Sequence, residues 1–247
     1  MTTFLVTNLN DSGAGSLRAA VLASNAAAGL APNVIQFAVS GTITLASDLP
    51  IVSGAVKIDA TTAPFHSDGG PPVVEVDFNG HAGLTFAIGA GGSSLLGLAL
   101  GHAIGNGVTL EGSGITLNGN YIGIHANGTT FGNALDGVHV TSLSAGNNIG
   151  YNPNAASNFV ANVISGNGGN GIALHGSSSN TIVSNRIGTN ADGSAAVANG
   201  RNGILLTEGS DNNTVGGTVF IDTSTGQVNN PTGDKGATTP VFVVPPL

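Results

Sequence analysis

Four stretches of the chain repeat one pattern of apolar and polar positions: glycine, a β-branched residue, an unrestricted position, then Leu or Val. They are Gly107-Val108-Thr109-Leu110, Gly137-Val138-His139-Val140, Gly171-Ile172-Ala173-Leu174 and Gly203-Ile204-Leu205-Leu206, whose glycines stand 30, 34 and 32 residues apart. Alternation over so few residues predicts short strands, with Val108, Leu110, Val138, Val140, Ile172, Leu174, Ile204 and Leu206 facing a core. The positions between them, Ala173 included, are read as facing solvent. A second element keeps step with the first, in Asn120-Tyr121-Ile122-Gly123 and Asn185-Arg186-Ile187-Gly188, each followed by a Gly-containing loop, Ala126-Asn127-Gly128 and Ala191-Asp192-Gly193. A third lies between them, in Ser179-Asn180-Thr181-Ile182-Val183 and Asp211-Asn212-Asn213-Thr214-Val215.

A near-constant period made of several short strands is the mark of a solenoid, in which each period forms one coil stacked on the last. The fold class expected is therefore all-β, a right-handed parallel β-helix, the hand following from the strong preference of parallel crossovers. Asn and Gly at the corners are read as turning the chain through left-handed backbone conformations, with the Asn side chains bonding from coil to coil. Residues 16 to 25 break the pattern. Ser16 reads as the N-cap of a short helix with Leu17, Ala20, Val21 and Ser24 on one face, ended near Gly29, and a helix there would cover the open first coil. Val34 to Phe37, Gly41 to Leu45, Leu49 to Ile51, Val56 to Asp59 and Val73 to Phe78 read as strands of less regular first coils. Residues 1–30 are thus taken as the cap strand and helix, 31–222 as the coils, and 223–247 as a linker or exit strand toward a further part.

Composition narrows the picture. Hydrophobic residues make up 40% and aromatics only 4%, with no Trp, so small branched side chains fill the core. Charged residues are 7% and the net charge is -8, with five Lys and Arg in all, which argues against a nucleic-acid partner. No apolar run of about 18 residues occurs, so no membrane span is expected. The start of the chain carries no signal-peptide pattern, and the absence of Cys excludes disulfides and thiolate metal sites.

The segment Val6-Thr7-Asn8-Leu9-Asn10-Asp11-Ser12-Gly13-Ala14-Gly15-Ser16-Leu17-Arg18-Ala19-Ala20 resembles the N-terminal cap of bacterial parallel β-helix repeat proteins of the pectin-lyase-like superfamily. Asn185-Arg186-Ile187-Gly188-Thr189-Asn190-Ala191-Asp192-Gly193 resembles their repeat. The resemblance covers roughly residues 4 to 220. It implies a secreted or cell-surface protein, exported in one step as the front part of a longer chain, and it spans lyases, hydrolases, epimerases and adhesins, so the site must decide the function.

Candidate chemistry is sparse. Lyases of that group use a basic residue with Asp-held calcium, and the cations here are Arg18, Lys57, Arg186, Arg201 and Lys235. Hydrolysis needs paired carboxylates, whereas Asp136 occupies a corner whose repeat equivalents are Asn106, Asn170 and Asn202. The constellation nearest to an epimerase site is Tyr121, His125, Asp136 and His139. Rung stacking would gather Glu111, His139 and His175 on one outer face, the candidate binding face. Asn190 and Asp192 have the oxygen-rich turn chemistry that calcium favours, and calcium is the one cofactor to weigh. The expectation is a monomeric structural or adhesive module, carbohydrate-binding rather than catalytic, with a polysaccharide or cell-surface glycan as partner and a uronan lyase or mannuronan epimerase as the alternative.

Overall fold

The computed structural model describes residues 1–27, 32–150, 161–207 and 209–216, together with the backbone of three short strands in the tail. The chain forms three parallel sheets that it visits in turn. The first sheet has eight strands: Thr3–Val6, Asn33–Phe37, Val56–Asp59, Ser94–Leu96, Thr116–Asn118, Asn148–Gly150, Thr181–Val183 and Thr214–Val215. The second has six: Gly41–Thr44, Val74–Asp77, Leu98–Gly101, Tyr121–Ile122, Val163–Ile164 and Arg186–Ile187. The third stacks Leu84–Phe86, Val108–Leu110, Val138–Val140, Ile172–His175, Ile204–Thr207 and Phe242–Val243. From Val56 to Thr207 each coil contributes one strand to each sheet, which is the parallel β-solenoid that the repeat predicts.

Register explains the alternation. Val108, Val138 and Ile172 lie level with one another, as do Leu110, Val140 and Leu174, and all six are fully buried. One apolar cluster runs from Val6 to Ile204, so the interior is a single column of Val, Ile, Leu and Phe. Ala173 corrects the sequence reading. It is level with His139 and therefore on the outer side of the sheet, yet it is fully buried, because a methyl group between larger neighbours is easily covered.

The repeat glycines also have a different cause from the one expected. Gly107, Gly137 and Gly171 are not among the positive-φ residues. They are glycine because the corner is too tight for a side chain. A Cβ on Gly137 would stand 2.7 Å from the carbonyl oxygen of Gly171 and 2.8 Å from Nδ2 of Asn167, and one on Gly171 would stand 2.6 Å from the carbonyl oxygen of Gly203. Left-handed backbone does occur where strands of the second sheet end, as at Gly123 with φ 85°.

The helix is Leu17–Ala26, with Ser16 Oγ accepting the N–H of Ala19 and Leu17, Ala20, Val21 and Ser24 buried as the pattern predicted. It packs on Thr3–Val6 and Asn33–Phe37 and joins the same apolar cluster. Arg18 pairs with Asp11 at 2.6 Å and donates to the carbonyl oxygens of Ser47 and Asp48, tying the segment before the helix to the turn after the first coil. Ala46 N–H and then Arg18 hold the Asp11 carboxyl below its ordinary range. Gly29 lies outside the described residues. So does most of the expected linker 223–247, of which the backbone of Gln227–Asn229 pairs with Phe220–Asp222 and that of Phe242–Val243 with Leu205 and Leu206. Among the described residues no helix is long and apolar enough to cross a membrane.

Candidate functional site

Four ladders of buried and half-buried side chains hold the corners in register. Asn120, Asn162 and Asn185 form one, each amide NH2 donating to the next amide oxygen at 3.1 and 2.9 Å. Asn133, Asn167 and Asn199 form a second at 2.8 and 3.0 Å, and Asn147, Asn180 and Asn213 a third at 2.7 and 2.9 Å. The same amide oxygens also accept backbone N–H groups that the turning chain leaves unpaired, as Asn162 Oδ1 does from Asn120.

The fourth ladder, Asn106, Asp136, Asn170 and Asn202, opens the third sheet and runs with opposite polarity. Asn202 Nδ2 donates to Asn170 Oδ1 at 3.0 Å, and Asn170 donates both its backbone N–H and Nδ2 to Asp136 Oδ1, at 2.7 and 2.8 Å. That polarity is why a carboxylate is tolerated at position 136, since the position has only to accept from the rung above. Its remaining oxygen, Oδ2, lies 3.1 Å from Nδ1 of His139. Burial pushes the Asp136 carboxyl up, but the contacts to His139 and Asn170 outweigh it and hold the group below its ordinary range.

His139 stands on Val138–Val140 and His175 on Ile172–His175, two residues further along the adjacent rung. Their rings stack, with centroids 4.9 Å apart and planes 27° from parallel. His175 Nδ1 lies 3.0 Å from Thr207 Oγ1. Asp136, His139 and His175 each bring one ligand-capable atom within 4.8 Å of the other two, the one such trio among the described residues. Around them the outer side of the third sheet is mostly polar and half-exposed, apart from Ala173 and Leu205 above His139. Thr85, Thr109 and His139 form one column, while Glu111, Thr141, His175 and Thr207 form the other. The predicted face of Glu111, His139 and His175 is therefore one sheet surface, with Asp136 at its edge.

Tyr121 and His125 belong to a different sheet. Tyr121 is level with Ala99 and Val163 on the outer side of the second sheet, where it is covered by Ile124, Ala191 and Val197 from two hairpins, each closed by a bridge, Ile124 to Thr130 and Thr189 to Ala196. Burial pushes its phenol up, with Arg186 opposing. His125 Nδ1 lies 3.0 Å from Glu75 Oε2, and its ring stacks on Phe131 at 3.9 Å. His102, 4.6 Å from Phe131, lies 3.2 Å from Asp77. Sequence reading missed this cluster, because Glu75 and Asp77 come from a strand two coils below the hairpin and no local motif links them. The four-residue constellation thus resolves into Asp136 with His139 on the third sheet and His125 with Glu75 on the second.

Asn190 and Asp192 sit in the second hairpin. Asp192 Oδ1 accepts the N–H of Ser194, and Asn190 Oδ1 accepts that of Ala195, so these oxygens close the turn. Of the cations, Lys57 pairs with Asp59 at 2.7 Å, Arg186 lies half-buried in the Tyr121 column, Arg201 is exposed, and Lys235 is outside the described residues. Compared with models of protein families and with curated proteins, the chain matches none.

Proposed function

We propose that the chain is a non-catalytic structural or adhesive module that binds an extended polysaccharide or cell-surface glycan along the outer side of its third sheet. The observation that carries this reading is the unbroken column Glu111, Thr141, His175 and Thr207 beside Thr85, Thr109 and His139. Carboxylate, hydroxyl and imidazole groups follow one another there at the rung spacing of about 4.8 Å, so a polymer lying along the solenoid meets a polar group at each step. The second sheet differs, for its hairpins cover that side with apolar residues. The core column is apolar and the ladders fix the rungs at its corners, so the polar columns are displayed on a rigid support.

We place the chain outside the cell as a monomeric member of the pectin-lyase-like superfamily. Its coils are right-handed, and Leu17–Ala26 closes the open end of the first coil, where Leu17 and Val21 meet core residues of the first coils. The test is binding of the full chain to neutral and uronate polysaccharides on an array, followed by titration. Binding is expected to weaken at least about tenfold in Glu111→Ala and Thr141→Val and to be unchanged in Asn127→Ala on the hairpin of the second sheet. Equal binding by all three variants would remove the third sheet from the account. The second reading, a uronan-acting enzyme, is favoured by one observation, the carboxylate of Asp136 behind His139, since such a pair can orient an imidazole for proton transfer. Turnover of a uronan that His139→Ala abolishes would establish it.

A further inference from the structure

We propose that Asp136, His139 and His175 bind one divalent transition ion of the Zn2+ class on the outer side of the third sheet. Three observations converge. Two imidazoles and one carboxylate from adjacent rungs lie within 4.8 Å of one another. The carboxylate is held in place, because both donors of Asn170 fix Oδ1 and leave Oδ2 turned to His139. Position 173, level with His139, carries only the methyl group of an alanine, so no larger side chain keeps the two rings apart.

The ladder gives the strongest reason. Along the corner column the residue is Asn106, Asp136, Asn170 and Asn202, and three positions later it is Thr109, His139, Ala173 and Leu205. The one carboxylate accompanies the one histidine. Asp136 gives up the amide donor that an Asn would offer to the rung below, and receives the histidine Nδ1 in its place. Asp136 Oδ2 and His139 Nδ1, 3.1 Å apart, already stand near the separation of two adjacent ligands on one tetrahedral ion. The donor set selects the ion. Calcium and magnesium take oxygen ligands, whereas two nitrogens and a carboxylate suit Zn2+, Co2+, Ni2+ or Cu2+. Metal–nitrogen bonds of about 2.1 Å in tetrahedral geometry place ligand atoms about 3.4 Å apart. The trio contracts to that spacing by side-chain rotation, with the rungs held by their ladders.

The proposal does not depend on glycan binding and is tested without any glycan. Chelator-stripped full chain is titrated with Zn2+ and, separately, with Ca2+ by calorimetry, and Co2+ is added to read its visible absorption bands. One Zn2+ per chain is expected, with no comparable Ca2+ uptake, and with Co2+ bands that report nitrogen ligation. His139→Ala, His175→Ala and Asp136→Asn should each weaken Zn2+ binding at least about tenfold, since each removes one ligand. Asp136→Asn keeps the ladder acceptor, so its melting temperature in chelator should match that of the parent, which separates loss of metal from loss of fold. His125→Ala should bind as the parent does. Absence of stoichiometric Zn2+ uptake, uptake insensitive to His139→Ala and His175→Ala, or uptake lost in His125→Ala would each overturn the site.

Discussion

Asn162→Ala probes the ladders that set the coils in register. Asn162 is fully buried, and its side chain makes four contacts. Oδ1 accepts Asn120 N–H at 2.9 Å and Asn120 Nδ2 at 3.1 Å, while Nδ2 donates to Leu117 O at 2.9 Å and to Asn185 Oδ1 at 2.9 Å. Truncation leaves the backbone N–H of Asn120 and the carbonyl of Leu117 without these partners inside the corner. Asn120 Nδ2 keeps its bond to Leu95 O. At about 1–3 kcal/mol for each orphaned buried group, the expected loss is about 3–5 kcal/mol once the small void is added. That is a large share of the stability of any domain. The control is Asn190→Ala, whose bonds close an exposed turn where water can replace them, and it should cost less than about 1 kcal/mol. With no Trp and two Tyr in the chain, far-ultraviolet circular dichroism in urea is the suitable probe. Hydrogen exchange should also show the Asn120 amide losing protection. Equal urea midpoints for the two variants would refute the view that the ladders carry structural weight.

Gly171→Ala should lower stability by about 1–3 kcal/mol, since the new methyl would stand 2.6 Å from Gly203 O; a neutral result in thermal melting would show that the corner can relax. Leu174→Ala removes a fully buried side chain and should cost about 2–5 kcal/mol by urea titration. Ala173→Asp is expected to destabilise as well, because this outward position is covered; a parental midpoint would show that the outer side is looser than its burial implies. For Asp11, the folded carboxyl lies below its ordinary 3.8, so its contribution is present above about pH 3.8 and is lost as pH falls through the folded value. Asp11→Asn should therefore melt lower than the parent near neutrality, with the gap closing in acid, and a gap that widened in acid would reverse the sign of the argument.

The solenoid was legible because its core positions recur: Val138 and Val140 can be aligned with Ile172 and Leu174 from the sequence alone, and register confirms the pairing. The helix was legible from Ser16 and the spacing of Leu17, Ala20, Val21 and Ser24. What the repeat could not convey was what lies over each outer face. Ala173 and Ala99 alternate as outward residues do, yet both are fully buried, Ala99 beneath a hairpin. Asp136 read as a corner residue, which it is, but its ladder polarity and its approach to His139 depend on side-chain geometry across rungs. Tyr121 and His125, close in sequence, separate because Tyr121 packs beneath its hairpin while His125 reaches across to Glu75, 50 residues earlier in the chain. The strands Leu84–Phe86, Ser94–Leu96 and Leu98–Gly101 went unnoticed, since the coils before residue 107 depart from the regular spacing.

Glycan binding without turnover is tested by incubating the purified full chain with neutral and uronate polysaccharides, and measuring bound polymer and released product in the same samples. Saturable binding that Glu111→Ala and Thr141→Val weaken is expected, with the polymer recovered at its original length and epimer composition. Release of unsaturated or shortened sugars, or a changed epimer ratio, dependent on His139 would contradict it.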